Sequence, residues 1–88
     1  INAVKFSQNG AAVSLQMPDE MRSASVTGNV WFYCAYNAKQ DKKYELKTNE
    51  EGLQNFPDKT ILPGNYVVKV SWVKDGLNYY AEKNLTVQ

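Results

Sequence analysis

Tyr66-Val67-Val68-Lys69-Val70-Ser71-Trp72-Val73 is the stretch whose reading decides the fold. Tyr66, Val68, Val70 and Trp72 alternate with Val67, Lys69, Ser71 and Val73. Successive side chains of a strand point to opposite faces, so a period of two predicts a strand whose Tyr-Val-Val-Trp set lines a core. Asp75-Gly76 follows and predicts a tight hairpin turn. The last strand then starts at Leu77, with Tyr79 and Ala81 on one face, and Leu85 and Val87 finish the chain. On the other side, Leu62-Pro63-Gly64-Asn65 predicts a turn, because Pro sets one φ and Gly permits the next.

Working outward, Ser25 to Tyr36 predicts a second long strand. Val26, Val30, Phe32, Cys34 and Tyr36 share one phase, and Thr27, Asn29, Trp31, Tyr33 and Ala35 the other. Gly28 marks a bulge or a close backbone approach. Near the start, Val4 and Phe6 alternate, Gln8-Asn9-Gly10 reads as a turn, and Val13, Leu15 and Met17 recur at period two, which together predict a hairpin. Pro18 ends that strand, since it lacks the amide proton a ladder needs. Pro18 to Ser23 is a polar loop with room for one helical turn, and Asn37 to Lys43 is a polar connection. Tyr44, Leu46 and Thr48 suggest a short half-exposed strand; Asn49-Glu50-Glu51-Gly52 is a turn signal, after which Leu53 and Phe56 reach the core from an irregular stretch. About seven short strands with turns every 8–12 residues predict an all-β, two-sheet antiparallel sandwich. Its expected core is Val13, Leu15, Val30, Phe32, Val68, Val70 and Trp72.

The 88 residues suit one domain, 1–88. A chain of that size buries enough of its surface on folding for one core, though a thin one. With 43% hydrophobic residues, the chain is not a disordered tail. Ten Lys and Arg against nine Asp and Glu leave a net charge of +1 and no long basic run. The chain therefore carries no electrostatic footprint for nucleic acid. No stretch approaches the ~18 apolar residues of a membrane span. The chain begins at Ile1 rather than Met, which implies that something upstream was removed.

Histidine is absent, which removes the commonest general base and metal ligand. Cys34 is the single cysteine, so it forms no internal disulfide and has no histidine to activate it; its phase places it in the core as a small hydrophobe. Asp19-Glu20 and Glu50-Glu51 lie in polar turns, where solvent keeps carboxylates ionised. Thioethers and thiolates suit Cu(I), so Met17, Met21 and Cys34 are the metal candidates, with packing of Met17 in the core and Met21 on a loop as the plainer reading. No catalytic residue and no cofactor is expected. Trp31 and Tyr33 share an outward face without an accompanying basic groove, which marks them as a protein-contact candidate or as cover for loop packing. The near-neutral charge predicts a contact only weakly dependent on salt.

The motif Leu62-Pro63-Gly64-Asn65-Tyr66-Val67-Val68-Lys69-Val70-Ser71-Trp72, followed by Asp75-Gly76-Leu77-Asn78-Tyr79-Tyr80-Ala81-Glu82, resembles the signature end of the FixH (CcoH) family in its Bacteroidetes-like form. Gly28-Asn29-Val30-Trp31-Phe32-Tyr33 is similar to the family's upstream landmark, a glycine before an aromatic strand. The resemblance covers nearly the whole chain. It implies an immunoglobulin-like extracytoplasmic domain on a single-pass protein of the cytoplasmic membrane, with this chain on the periplasmic side and its N-terminal transmembrane anchor absent. It implies a non-enzymatic role in assembly or stabilisation of a cbb-type cytochrome c oxidase, with oxidase subunits or a copper-transporting ATPase as partners. A copper-binding chaperone domain delivering Cu(I) is the alternative.

Overall fold

In a computed structural model, which describes residues 4–10, 12–21, 26–57 and 60–88, the chain is an all-β sandwich of seven strands in two antiparallel sheets. The strands are β1 (Lys5–Asn9), β2 (Ala12–Gln16), β3 (Thr27–Tyr33), β4 (Lys42–Glu45), β5 (Leu53–Phe56), β6 (Gly64–Lys74) and β7 (Leu77–Val87). One sheet has the order β1-β2-β5 and the other β4-β3-β6-β7. The chain crosses between sheets after β2, β4 and β5, the Greek-key habit of immunoglobulin-like sandwiches. Among the described residues the only helical segments are two single 3-10 turns, Asp19–Met21 and Ala38–Gln40, and no helix is long and apolar enough to cross a membrane.

The β6–β7 hairpin is the spine. Eleven residues at about 3.3 Å each give β6 a length close to the molecule's 35 Å long axis. Its register pairs Lys74 with Leu77 across Asp75-Gly76. Both turn residues have positive φ. Positive φ at both central positions defines the hairpin turn that suits right-handed strand twist. All seven expected core residues are buried, at 5% exposure or less. Phe32 lies at the centre with no exposed surface, and the rings of Phe6, Phe56, Tyr44 and Tyr66 meet it edge-on with centroids 5.1–6.5 Å away. Edge-to-face contact sets the positive rim of one ring against the negative face of another.

Gly28 marks a close approach. A Cβ there would stand 2.0 Å from the Ser71 carbonyl oxygen and 2.7 Å from the Trp72 Cα. Tyr66, near the start of β6, donates its hydroxyl to the Leu62 carbonyl at 2.7 Å, closing the corner by which the chain enters the strand. That is the tyrosine corner of immunoglobulin-like sandwiches. Gln40 adds to it through Nε2, which donates to the Tyr66 hydroxyl and to the Pro63 carbonyl, both at 3.1 Å.

Four local expectations change. Leu53 and Phe56 belong to a regular strand, β5, paired with β2 from Gln16↔Leu53 to Val13↔Phe56. The Asn49 side chain accepts from the Glu51 and Leu53 amides, and Gly52, also at positive φ, completes a turn tight enough to begin that strand at once. The strand expected over Ser25 to Tyr36 is regular only from Thr27 to Tyr33, and Ser25 lies outside the described residues. The Asp41 carboxylate takes the Cys34 amide at 2.8 Å, the Asn37 amide bonds back to the Cys34 carbonyl, and Tyr36 emerges 64% exposed. The strand expected around Tyr44, Leu46 and Thr48 sits earlier, at Lys42–Glu45: the Leu46 amide still donates to the Gly28 carbonyl of β3, and the Lys47 amide then turns to the Gln54 side chain. Met21 is in the core rather than on an open loop: it is 4% exposed, and its sulfur accepts the Trp72 indole N–H at 3.3 Å.

Candidate functional site: the outward face of the four-stranded sheet

Val30 and Phe32 point inward from β3, so Trp31 and Tyr33 stand on the outward face, as the alternation requires. Their rings meet at 5.2 Å and 71°. β3 is an interior strand of its sheet, flanked by β4 and β6. The register puts Lys43 and Lys69 directly beside Trp31, one on each flanking strand. Lys43 Nζ lies 4.4 Å from the Trp31 ring centre, and Lys69 Nζ 4.9 Å from it and 4.7 Å from that of Tyr33. Ammonium over an aromatic face is electrostatically favourable, and the lysine stems shield the rings from water. Both aromatics are half-buried, and the Trp31 indole nitrogen is covered without a hydrogen-bond partner among the described residues.

The carboxylates of this face, Glu45 and Glu82, have partners other than Lys43 and Lys69. Glu82 is the cross-strand partner of Lys69, yet it accepts the Tyr80 hydroxyl at 2.8 Å. That bond favours the protonated phenol and raises the pKa of Tyr80 above its ordinary value, with desolvation and the nearby charge of Glu82 adding to it. Glu45 pairs with Lys47 at 3.6 Å. Among the described residues neither Lys43 nor Lys69 is ion-paired. Lys43, Lys47 and Lys69 against Glu45 and Glu82 leave a small excess of positive charge on the face, and the two ammonium groups nearest Trp31 and Tyr33 are those outside an ion pair. The sequence reading found the two aromatics and missed the two lysines. Lys69 carries the outward phase of the Tyr66–Trp72 alternation, a usable signal; Lys43 sits in a segment read as a connection, so nothing local marked it.

The three copper candidates are not gathered. Met21 packs on Trp72, which pairs with Gly28 at the start of β3, whereas Cys34 follows the other end of that strand. The extended chain from Gly28 to Cys34 spans about 20 Å. Met17, next to Pro18 and bonded through its amide to the Gly52 carbonyl, is fully buried. Among the described residues no group of three or more Cys, Asp or Glu side chains is placed to hold a metal ion. The two expected acidic pairs lie in turns, with Asp19, Glu20, Glu50 and Glu51 all exposed.

Comparison with protein-family models, with curated proteins and with solved structures finds no match, so the resemblance to the FixH family rests on the motifs quoted above.

Proposed function

We propose that this domain is a non-enzymatic contact module, which docks to a membrane complex through the outward face of its four-stranded sheet. The observation that carries the reading is the Trp31–Tyr33 pair at the middle of a sheet face, flanked by Lys43 and Lys69. Aromatic residues anchor protein interfaces because they bury large area at low entropic cost. The FixH resemblance supplies the setting: a membrane-anchored protein whose outer domain serves assembly or stabilisation of a cbb-type cytochrome c oxidase. An anchor would confine the domain near its partner, so that even a weak contact is well occupied.

The test is copurification from membranes of the full-length anchored protein. Replacing Trp31 and Tyr33 by Ser should cut recovery of the partner complex while the domain keeps its cooperative melt. A folded double variant that copurifies normally removes this face from the docking site. Loss of folding would make the two aromatics part of the structural core instead.

A further inference from the structure

We propose that the partner presents an acidic, extended peptide segment to this face, and that Lys43 and Lys69 are the residues that recognise it. The inference rests on the docking role of the Trp31–Tyr33 face and adds the chemistry of what docks there.

Charge carries the argument. Two ammonium groups flank one indole, and neither is neutralised by an ion pair among the described residues. The carboxylate best placed to neutralise Lys69, that of Glu82, is held by Tyr80 instead. A cation left over an aromatic ring keeps part of its hydration and is ready for a carboxylate, and complementary potentials govern which partner is accepted. Geometry narrows the partner. Lys43 and Lys69 lie on strands either side of β3, so their Cα atoms are about 10 Å apart. Carboxylates two residues apart on an extended chain are about 7 Å apart on one face, a gap that lysine side chains close by swinging. Trp31 lies between them in the register, and the Tyr33 ring, two residues along β3, sits under Lys69. An anionic lipid surface fits less well, because membrane-surface binding needs apolar side chains that project, and these rings are half-buried between lysine stems.

The experiment is a titration of the isotopically labelled chain with a poly-glutamate peptide, followed by nuclear magnetic resonance. Poly-serine is the control, and vesicles of phosphatidylcholine with phosphatidylserine form a separate arm. The two tryptophans give two indole signals. The Trp31 signal and the amides of Lys43 and Lys69 should shift to saturation with poly-glutamate, while Trp72, buried on Met21, stays in place. K43E/K69E should weaken binding about tenfold or more, whereas K5E/K39E, which changes net charge equally on exposed sites elsewhere, should change it little. K43R/K69R should retain binding. Equal loss in both charge-reversed variants would overturn the proposal, as would saturation by vesicles without any by poly-glutamate. If K43E/K69E melts early, K43Q/K69Q carries the same comparison. If acidic peptide fails while W31S/Y33S still abolishes copurification, the docking face stands and its partner is not acidic. If neither changes anything, both readings fall.

Discussion

Tyr66 shows how one side chain serves two ends. Its ring closes over Phe32, and its hydroxyl fastens the turn at Leu62. Burial raises its pKa above the ordinary phenol value; the Gln40 bond opposes that rise, and the surrounding Cys34, Tyr36 and Asp41 add to it. Tyr44 is raised too, by burial first and by Tyr66 second. A group whose folded pKa exceeds its unfolded value binds its proton more tightly when folded. Its contribution to stability is complete below about pH 10, the unfolded value, and fades as pH climbs through the folded value. We therefore expect thermal stability to fall as pH rises past about 10. Tyr66→Phe should flatten that alkaline limb in a pH series of melts. The same variant should cost about 0.5–1.5 kcal/mol near neutrality through the lost hydroxyl bond. An unchanged alkaline limb in Tyr66→Phe would assign the effect to other groups.

At the scale of elements, β3 and β6 approach closely where Gly28 meets Trp72. The space a side chain would need there is taken by the Ser71 carbonyl and the Trp72 Cα, both backbone, so no rotamer change relieves it. Gly28→Ala should therefore destabilise by at least the roughly 1–3 kcal/mol typical of overpacking, read as a lower denaturation midpoint. Asn29 and Ser71 pair in the same ladder, so the amide protons of β3 near Gly28 should exchange faster in that variant. Protection equal to that of the parent chain would mean that the strands shift apart without cost. The β2–β5 pairing shows an element that depends on its turn. Gln54 donates to the Glu45 carbonyl and accepts the Lys47 amide, tying β5 across to the segment that precedes it.

For the molecule as a whole, position along the long axis separates the residues that looked like one ligand set. Met17 and Met21 sit toward the end where β3 begins, and Cys34 follows the end where it stops. A Cu(I) ion needs its thioether and thiolate donors converging on one point. A competition assay under reducing conditions should accordingly give no tight one-to-one site that depends on all three residues. Submicromolar binding lost on replacing any one of Met17, Met21 or Cys34 would show that the fold rearranges to gather them. The same whole-molecule view changes the expected salt dependence of docking. A net charge of +1 is an average over both sheets. A partner docked as proposed would meet the local field, set by Lys43 and Lys69 with Glu45 and Glu82 beside them, because salt screens charges beyond a Debye length of about 10 Å. Binding through this face should weaken as salt rises.

Period-two alternation was enough, by itself, to determine that this chain is a β-sandwich and which side of its strands is inside. Val13, Leu15, Val30, Phe32, Val68, Val70 and Trp72 are buried because a strand cannot place residues i and i+2 on different faces. The Asp75-Gly76 turn and the close approach at Gly28 were legible for a similar reason, since each is a local backbone demand that few residues meet. What only the tertiary structure decided is which strands are neighbours and where irregular segments end. Pairing β3 with both β4 and β6 brought Lys43 and Lys69, distant in sequence, onto one indole. Strand order arises from the packing of whole sheets, and no residue along the chain encodes its neighbour across a ladder. The early end of β3, the regularity of β5 and the burial of Met21 follow the same rule. Each is set by a side-chain hydrogen bond, Asp41 to Cys34, Asn49 to Leu53, Trp72 to Met21, which hydropathy along the chain does not record.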